Sequence, residues 1–194
     1  MLDNGFKLYT DFLSARLAND YLQRLLSDVD WRQDTLKLHG REHSIPRLHQ
    51  WYADEGVSYS WSGIEMQPQD WIAPLAELRD RLQRKTRHTF NSVLTNLYRD
   101  GNDSMGWHAD DEPELGAKPV IASISLGAER DFQLRRMRSG TARSHSPAVN
   151  VLLPHGSLLL MSGSSQQEWQ HALPKRRRVA KPRINLTFRC IADN

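Results

Sequence analysis

The sequence predicts a chain that is α+β but mainly β: a β-sandwich or jelly roll with helices laid on one side. Two observations carry that prediction. Two amphipathic segments stand within the first 89 residues, and from residue 90 onward short apolar runs recur with turn residues between them. A third observation bounds it. A length of 194 residues suits one domain that can bury a full core without disulfide or metal staples.

Ser14 is placed to cap a first helix. Behind it Leu17, Tyr21 and Leu25, with Leu22, Leu26 and Val29, recur at helical spacing as a stripe suited to packing on a sheet. Residues 32–56 are polar and broken by Gly40, Pro46 and Gly56, so they read as loops and short strands. Residues 57–62 alternate as a strand does, between Gly56 and Gly63. A second helix is expected after Pro68, with Trp71, Leu75, Leu78 and Leu82 on one face and Arg84, Lys85, Arg87 and His88 at its negative end. Strands are expected over 92–98, 120–126, 131–134, 149–153, 157–161 and 184–189, punctuated by Gly127, Pro154, Gly156 and Gly163. Residues 139–147, rich in Ser, read as a flexible loop.

Composition narrows the function classes. Hydrophobic residues make up 39% and charged residues 25%, ordinary globular values that exclude a disordered chain. Cys190 is the single cysteine, which rules out an intrachain disulfide and fits a reducing compartment, the cytoplasm or, in a eukaryote, the nucleus. The first residues lack the pattern of a secretory signal, and no apolar run approaches membrane length, so no membrane partner is expected. A net charge of +3 and a pI near 9.2 permit an anionic partner. Six Trp suit either a core or a surface on which bases stack, and composition does not separate the two.

The polar stretch 96–112 holds a His-x-Asp pair. In an extended backbone, residues two apart face the same side, so His108 and Asp110 present a nitrogen and a carboxylate oxygen to one point. That is two thirds of a facial site in which two His and one carboxylate bind Fe(II); taken alone, the pair better suits an exposed turn with a helix-capping Asp. In residues 183–189, alternation puts Arg183, Asn185, Thr187 and Arg189 on one face and Ile184, Leu186 and Phe188 on the other. The apolar face belongs to the core. The polar face suits solvent or, inside a barrel mouth, an anion such as a carboxylate held in bidentate fashion. The same parity sets Asn96 beside Tyr98. A third metal ligand must be a distant His on a neighbouring strand. His145, in a Ser-rich loop, and His155, in a Pro-His-Gly turn, suit exposed positions, and His171, flanked by apolar residues, is the better candidate.

Asn-x-Tyr (Asn96, Tyr98), His-x-Asp (His108, Asp110), the distal His171 and Arg-x-Asn-x-Thr-Phe-Arg (183–189) together resemble the AlkB family of Fe(II)- and 2-oxoglutarate-dependent dioxygenases. Residues 110–115, 121–128, 130–132, 155–159 and 169–174 share the resemblance, as do Pro46, Arg47 and residues 59–63; it extends over about 38–192. The resemblance implies a double-stranded β-helix, or jelly-roll, core with the N-terminal helices packed on one side. It implies one dioxygenase domain over 1–194, with 1–89 as a helical, base-recognising part and 90–194 as the catalytic core. His108, Asp110 and His171 would bind Fe(II). Arg183 would pair with the distal carboxylate of 2-oxoglutarate, helped by Asn96 and Tyr98, and Arg189 and Asn185 would hold the end near the metal.

The implied reaction consumes O2 and 2-oxoglutarate, releases succinate and CO2, and hydroxylates a methyl group on a base nitrogen, which leaves as formaldehyde. The implied substrate is DNA or RNA carrying 1-methyladenine or 3-methylcytosine, with the target base flipped out or already unpaired, and the enzyme is expected to be a monomer. Arg47, Tyr59, Trp61, Ser62 and Glu112 would contact the substrate, Tyr59 and Trp61 from one strand face. The basic runs 135–138 and 175–178 suit phosphates, and the second also reads as a nuclear localisation signal. His39 stands where relatives that invade duplex DNA carry a bulky hydrophobic wedge. An imidazole is less apolar, which favours single-stranded DNA or RNA. Two other readings remain open: the same chemistry on a protein or small molecule, and a catalytically silent nucleic-acid-binding jelly roll.

Overall fold

A computed structural model describes residues 5–38, 40–57, 59–61, 64–66, 68–137 and 145–192, with backbone alone at 36–38, 41, 59–61 and 64–66. Ser14 caps α1 (Ala15–Asp28), its Oγ accepting from the Leu17 N–H, and the helix buries Ala18, Tyr21, Leu22 and Leu25. The second helix, α2 (Ala73–Thr86), buries Pro74, Leu75, Leu78 and Leu82 and stops at Arg87, whose φ of 62° is left-handed. It starts after Trp71 rather than at it, because Pro74 fits the first turn and Ile72 takes the cap position. The Trp71 ring instead lies nearly parallel to Phe188 and beneath the Arg79 guanidinium, 4.2 Å from ring centroid to Cζ.

The strands form two sheets and two hairpins. One sheet runs in the order β1 (Phe6–Tyr9), β12 (Ser157–Met161), β9 (Ile121–Gly127), β14 (Arg183–Arg189), β7 (Ser92–Tyr98), β4 (Leu48–Ala53). The other runs β11 (Val149–Leu153), β10 (Arg130–Arg136), β13 (Trp169–Leu173), β8 (Met105–His108). Two hairpins flank β4 in sequence: β2 (Thr35–Leu38) with β3 (Arg41–Ser44), and β5 (Tyr59–Trp61) with β6 (Ile64–Met66). A 3-10 turn (Pro113–Leu115) and the short α3 (Ser165–Glu168) complete the chain. The paired strands in both main sheets are antiparallel, as a jelly roll requires.

The six-stranded sheet is buried on both faces. Val93, Leu97, Ala122, Ile124, Leu126, Leu158, Ile184, Leu186 and Phe188 pack against α1 and α2. On the other face Leu94, Ile121, Leu159 and Met161 meet Phe132, Leu134, Val151 and Leu153 of the smaller sheet. Strand pairing aligns the inner, polar positions: Asn185 of β14 stands opposite Asn96 on one side and Ser125 on the other, and Arg183 opposite Tyr98 and Gly127.

Four strands were not expected from the sequence: β1, β6, β8 and β13. β6 closes a short hairpin with the neighbouring β5, while each of the other three is short and held by a partner far away in the chain. The exposed turn expected at His155 is instead a half-buried strut. Its Nδ1 accepts from the Gly127 N–H at 2.8 Å and its Nε2 lies 3.2 Å from Asn19 Oδ1. His145 is likewise half-buried, bridging to Met137, and most of the expected 139–147 loop lies outside the described residues. Among the described residues no helix is long and apolar enough to cross a membrane.

A candidate metal and anion site between the sheets

His108 ends β8, His171 lies within β13, and the two strands pair with these residues directly opposite. Both rings therefore face the interior, 4.1 Å apart between centroids. Asp110, two residues past His108, turns the same way: Oδ1 lies 3.8 Å from His108 Nε2, and Oδ2 lies 4.0 Å from His171 Nε2. One donor atom from each of the three residues falls within 4.8 Å of the others, a spacing that one ion can span.

The surroundings prepare these donors. His108 Nδ1 is 2.9 Å from the Gly106 carbonyl, a contact that requires the proton on Nδ1 and leaves the Nε2 lone pair inward. The His171 ring stacks on Phe132, and the Asp110 N–H donates to Gln166 Oε1. Burial, then His108, push His171 down to about 3 against the pull of Asp110, so its imidazole is neutral near pH 7. Burial opposes the charge on Asp110, yet the Arg189 guanidinium and the two imidazoles hold its carboxyl well below the usual range. Arg189 Nη2 lies 3.0 Å from Asp110 Oδ1. Two imidazoles and one carboxylate form a donor set that fits Fe(II).

The same cavity continues past Asn96, Tyr98, Ser123, Arg183, Asn185 and Thr187. Arg183 is 2% exposed. Its Nη2 donates to Ser125 Oγ at 2.8 Å and to Asn185 Oδ1 at 3.0 Å, its Cζ lies 5.4 Å from the Tyr98 ring centroid, and its Nε has no hydrogen-bond partner. Among the described residues no carboxylate pairs with it. Burial pushes Arg183 down to about 10, so it is still a cation near neutral pH. A buried, charged guanidinium with no counter-ion is costly, and a carboxylate entering the cavity would supply one. These residues fit one end of a dicarboxylate such as 2-oxoglutarate.

Asn185 is placed differently from expectation. Its Oδ1 accepts from Arg183 and from Ser123 Oγ, and its Nδ2 donates to Thr187 Oγ1, so its amide braces Arg183 rather than facing the metal. Ser123, Ser125 and Gln166 also shape the site, and none was singled out from the sequence. The signal for the two serines was their spacing of two within an otherwise apolar strand.

Arg47 is 4% exposed, and its Nε donates to Asn96 Oδ1 at 2.8 Å. Glu112 opens the 3-10 turn two residues after Asp110 and buries Oε2 without a hydrogen-bond partner. Tyr59 and Trp61 lie on β5, but their side chains are outside the description, and His39 and Ser62 fall outside the described residues altogether. The basic runs are partly structural. Arg135 packs over the Trp107 ring and bonds Gln170, Arg136 pairs with Glu168, and Arg176 pairs with Asp131. Lys175, Arg177, Arg178 and Lys181 remain exposed. Their turn is docked by Arg176 N–H to the Gly101 carbonyl and Gly101 N–H to the Val179 carbonyl. A Cβ at Gly101 would meet the Arg176 carbonyl oxygen at 1.7 Å.

Residues 5–189 match the sequence profile of the 2OG-Fe(II) oxygenase superfamily. The chain is 41% identical over 188 residues to alpha-ketoglutarate-dependent dioxygenase alkB homolog 3 of Homo sapiens, covering 95% of this chain and 65% of that protein. It is also 41% identical over 191 residues to the DNA oxidative demethylase ALKBH2 of Homo sapiens, covering 94% of this chain and 72% of that one. The solved structure of OsALKBH1, at 18% identity, superposes with a TM-score of 0.67 over 97% of this chain and 99% of its own, a likeness of fold. The facing histidines, the buried row of β14 and these matches agree: the chain belongs to the AlkB family within the 2OG-Fe(II) oxygenase superfamily.

Proposed function

We propose that the protein is an Fe(II)- and 2-oxoglutarate-dependent demethylase of N-alkylated bases, 1-methyladenine and 3-methylcytosine, in DNA and also RNA. One observation carries this reading. A single cavity is lined by two imidazoles and a carboxylate in ligand geometry and, further along, by a buried guanidinium that lacks a carboxylate. The names of the relatives, a dioxygenase and a DNA oxidative demethylase, point the same way.

His108, Asp110 and His171 would hold the metal, each offering one donor atom. Arg183 takes the distal carboxylate with Asn96 and Tyr98 beside it, while Arg189 balances the charge on Asp110 near the metal. When bound, Fe(II) and 2-oxoglutarate supply the activation of O2 that hydroxylates the methyl carbon, with succinate, CO2 and finally formaldehyde released. The protein's part is to bind, orient and keep water out. Phe132, Leu94, Met161 and Leu173 line the cavity with hydrocarbon, which strengthens each charge interaction inside it.

The methylated edge of a base lies inside the stack, so the target must be flipped or unpaired. Tyr59 and Trp61, with Ser62, are the proposed walls of its pocket. The half-buried Glu112 carboxylate, with one oxygen lacking a partner, suits an amino-bearing or cationic base edge. Lys175, Arg177, Arg178 and Lys181 offer exposed cations to phosphates. Residues 1–89 do more than recognise the base, since they also contribute β1 and β4 to the main sheet; with 90–194 they act as one unit, a monomer in the cytoplasm or, in a eukaryote, the nucleus.

The test is demethylation of 1-methyladenine and 3-methylcytosine in single-stranded DNA, duplex DNA and RNA, with a methylated peptide beside them. Faster turnover on single strands is expected, and Phe in place of His39 should raise duplex activity. Turnover confined to the peptide would reject the nucleic-acid reading.

A further inference from the structure

We infer that Arg47 is a positioning residue of the co-substrate site, which fixes the side-chain amide of Asn96 with its NH2 turned into the cavity. The inference rests on the reading of that cavity as a 2-oxoglutarate site. It differs from the role at the nucleic-acid surface that the sequence suggested for Arg47, because a side chain 4% exposed presents nothing to an incoming strand.

The backbone around Arg47 is pinned on both sides. Ile45 N–H donates to the Asp34 carbonyl, Arg47 N–H to the Ile45 carbonyl, and Ser104 N–H to the Pro46 carbonyl, all at 2.8–2.9 Å. Arg47 leads from the β2–β3 hairpin into β4, whose His49 stands opposite Asn96 of β7. The guanidinium is thus delivered to one point, with Nε 2.8 Å from Asn96 Oδ1.

An Asn amide has one oxygen that accepts and one NH2 that donates, and the two can exchange places by a half-turn. A guanidinium carries donors only. Arg47 can therefore engage only the oxygen, and that contact excludes the flipped amide. With Oδ1 committed to Arg47, the NH2 faces the other way. Asn96 is 3% exposed and lines the cavity beside Tyr98, opposite Asn185. Among the described residues its NH2 donates to no acceptor. The group it suits is an anion in the cavity, the carboxylate that Arg183 also faces. Without Arg47 the amide is free to flip, and a flipped amide would turn its oxygen toward that carboxylate. One attractive contact would become a repulsive one.

A double-mutant cycle on 2-oxoglutarate affinity tests this directly, by anaerobic calorimetry on the Fe(II)-loaded protein. Arg47→Met should raise the Kd of 2-oxoglutarate about tenfold, with Fe(II) affinity unchanged. Asn96→Ala should weaken binding by a similar factor, and adding Arg47→Met to it should cost nothing more. Additive losses would overturn the inference, because Arg47 would then act without Asn96. An unchanged Kd in Arg47→Met, with weaker binding of a methylated oligonucleotide, would overturn it too and place Arg47 at the substrate. If Arg47→Met does not fold, Arg47→Gln takes its place in the cycle; its side-chain NH2 can still donate to Asn96, and 2-oxoglutarate affinity should fall by less than with Asn96→Ala. A loss equal to or beyond that of Asn96→Ala, and additive to it, would contradict the inference. If the wild-type protein itself binds no 2-oxoglutarate, the reading of the cavity fails, and that outcome is distinct from all of these.

Discussion

Ile184, Leu186 and Phe188 turn one face of β14 toward the helices, and Arg183, Asn185, Thr187 and Arg189 turn the other toward the cavity. Both faces are closed to water almost equally: Phe188 is 0% exposed and Arg183 2%. The first face is stabilised by the transfer of hydrocarbon out of water. The second gains little from burial, since each guanidinium must be desolvated and only partly recovers that cost in hydrogen bonds. A strand that buries two guanidiniums on one face is arranged for a ligand, whereas the opposite face is arranged for the fold. Substitutions on the two faces should therefore separate stability from activity.

The largest expected effect lies in the cavity. Asp110→Ala removes the only carboxylate of the metal set and should lower turnover by roughly a thousandfold or more. Retention of near wild-type turnover in a metal-reconstituted assay would remove Asp110 from the site. On the other face, Phe188→Ala should cost about 3–5 kcal/mol of folding stability, read from denaturant unfolding, because it empties a packed core position. Arg183→Met should do the reverse of Phe188→Ala. A hydrophobic replacement of similar volume leaves Tm unchanged or higher, while 2-oxoglutarate binding weakens by about 2–3 kcal/mol, the worth of a charge-assisted contact. A large fall in Tm would show that Arg183 serves the fold.

A smaller effect should appear with pH in the metal-free protein. His171 is held down to about 3 in the folded state, against an ordinary value of 6.5. Its pKa is depressed on folding, so the unfolded chain binds the extra proton first as pH falls below 6.5. Stability should decline from there toward pH 3, by about 2 kcal/mol between pH 7 and pH 5 from this group alone. Asp110, also depressed, adds its loss only below its ordinary value of 3.8. Thermal unfolding of the apo-protein against pH reads this, and His171→Gln should flatten the curve. The smallest effect is expected at the surface. Replacing Arg177 and Arg178 with Ala should weaken oligonucleotide binding evenly across sequences and reduce the slope of log K against log salt by about 2.

The two faces of β14 were legible because alternation in residues 183–189 separates them without help from the rest of the chain. The helices were legible too, since Leu75, Leu78 and Leu82 state their buried face locally. Other parts of the site were not. His108 and His171 meet only because β8 pairs with β13, and no local pattern in either short strand announces a partner so distant in the chain. Apolar neighbours made His171 the better candidate, and the resemblance to the family gave it the role of ligand; periodicity alone could not. Ser123 and Ser125 carried only the signal of their spacing of two, and in a strand buried on both faces that spacing does not tell a ligand-facing pair from a core one. The bracing role of Asn185 also lay beyond sequence, because parity states which face a side chain joins and not which neighbour its amide engages.

The most direct test of the whole account is product stoichiometry on a single-stranded oligonucleotide bearing one 1-methyladenine, with Fe(II), 2-oxoglutarate and O2 supplied. One succinate and one formaldehyde per base restored, and neither product with Asp110→Ala, is the predicted result. Succinate formed at the same rate with and without the oligonucleotide, or a methyl group left in place, would contradict the claim that this cavity demethylates nucleic acid.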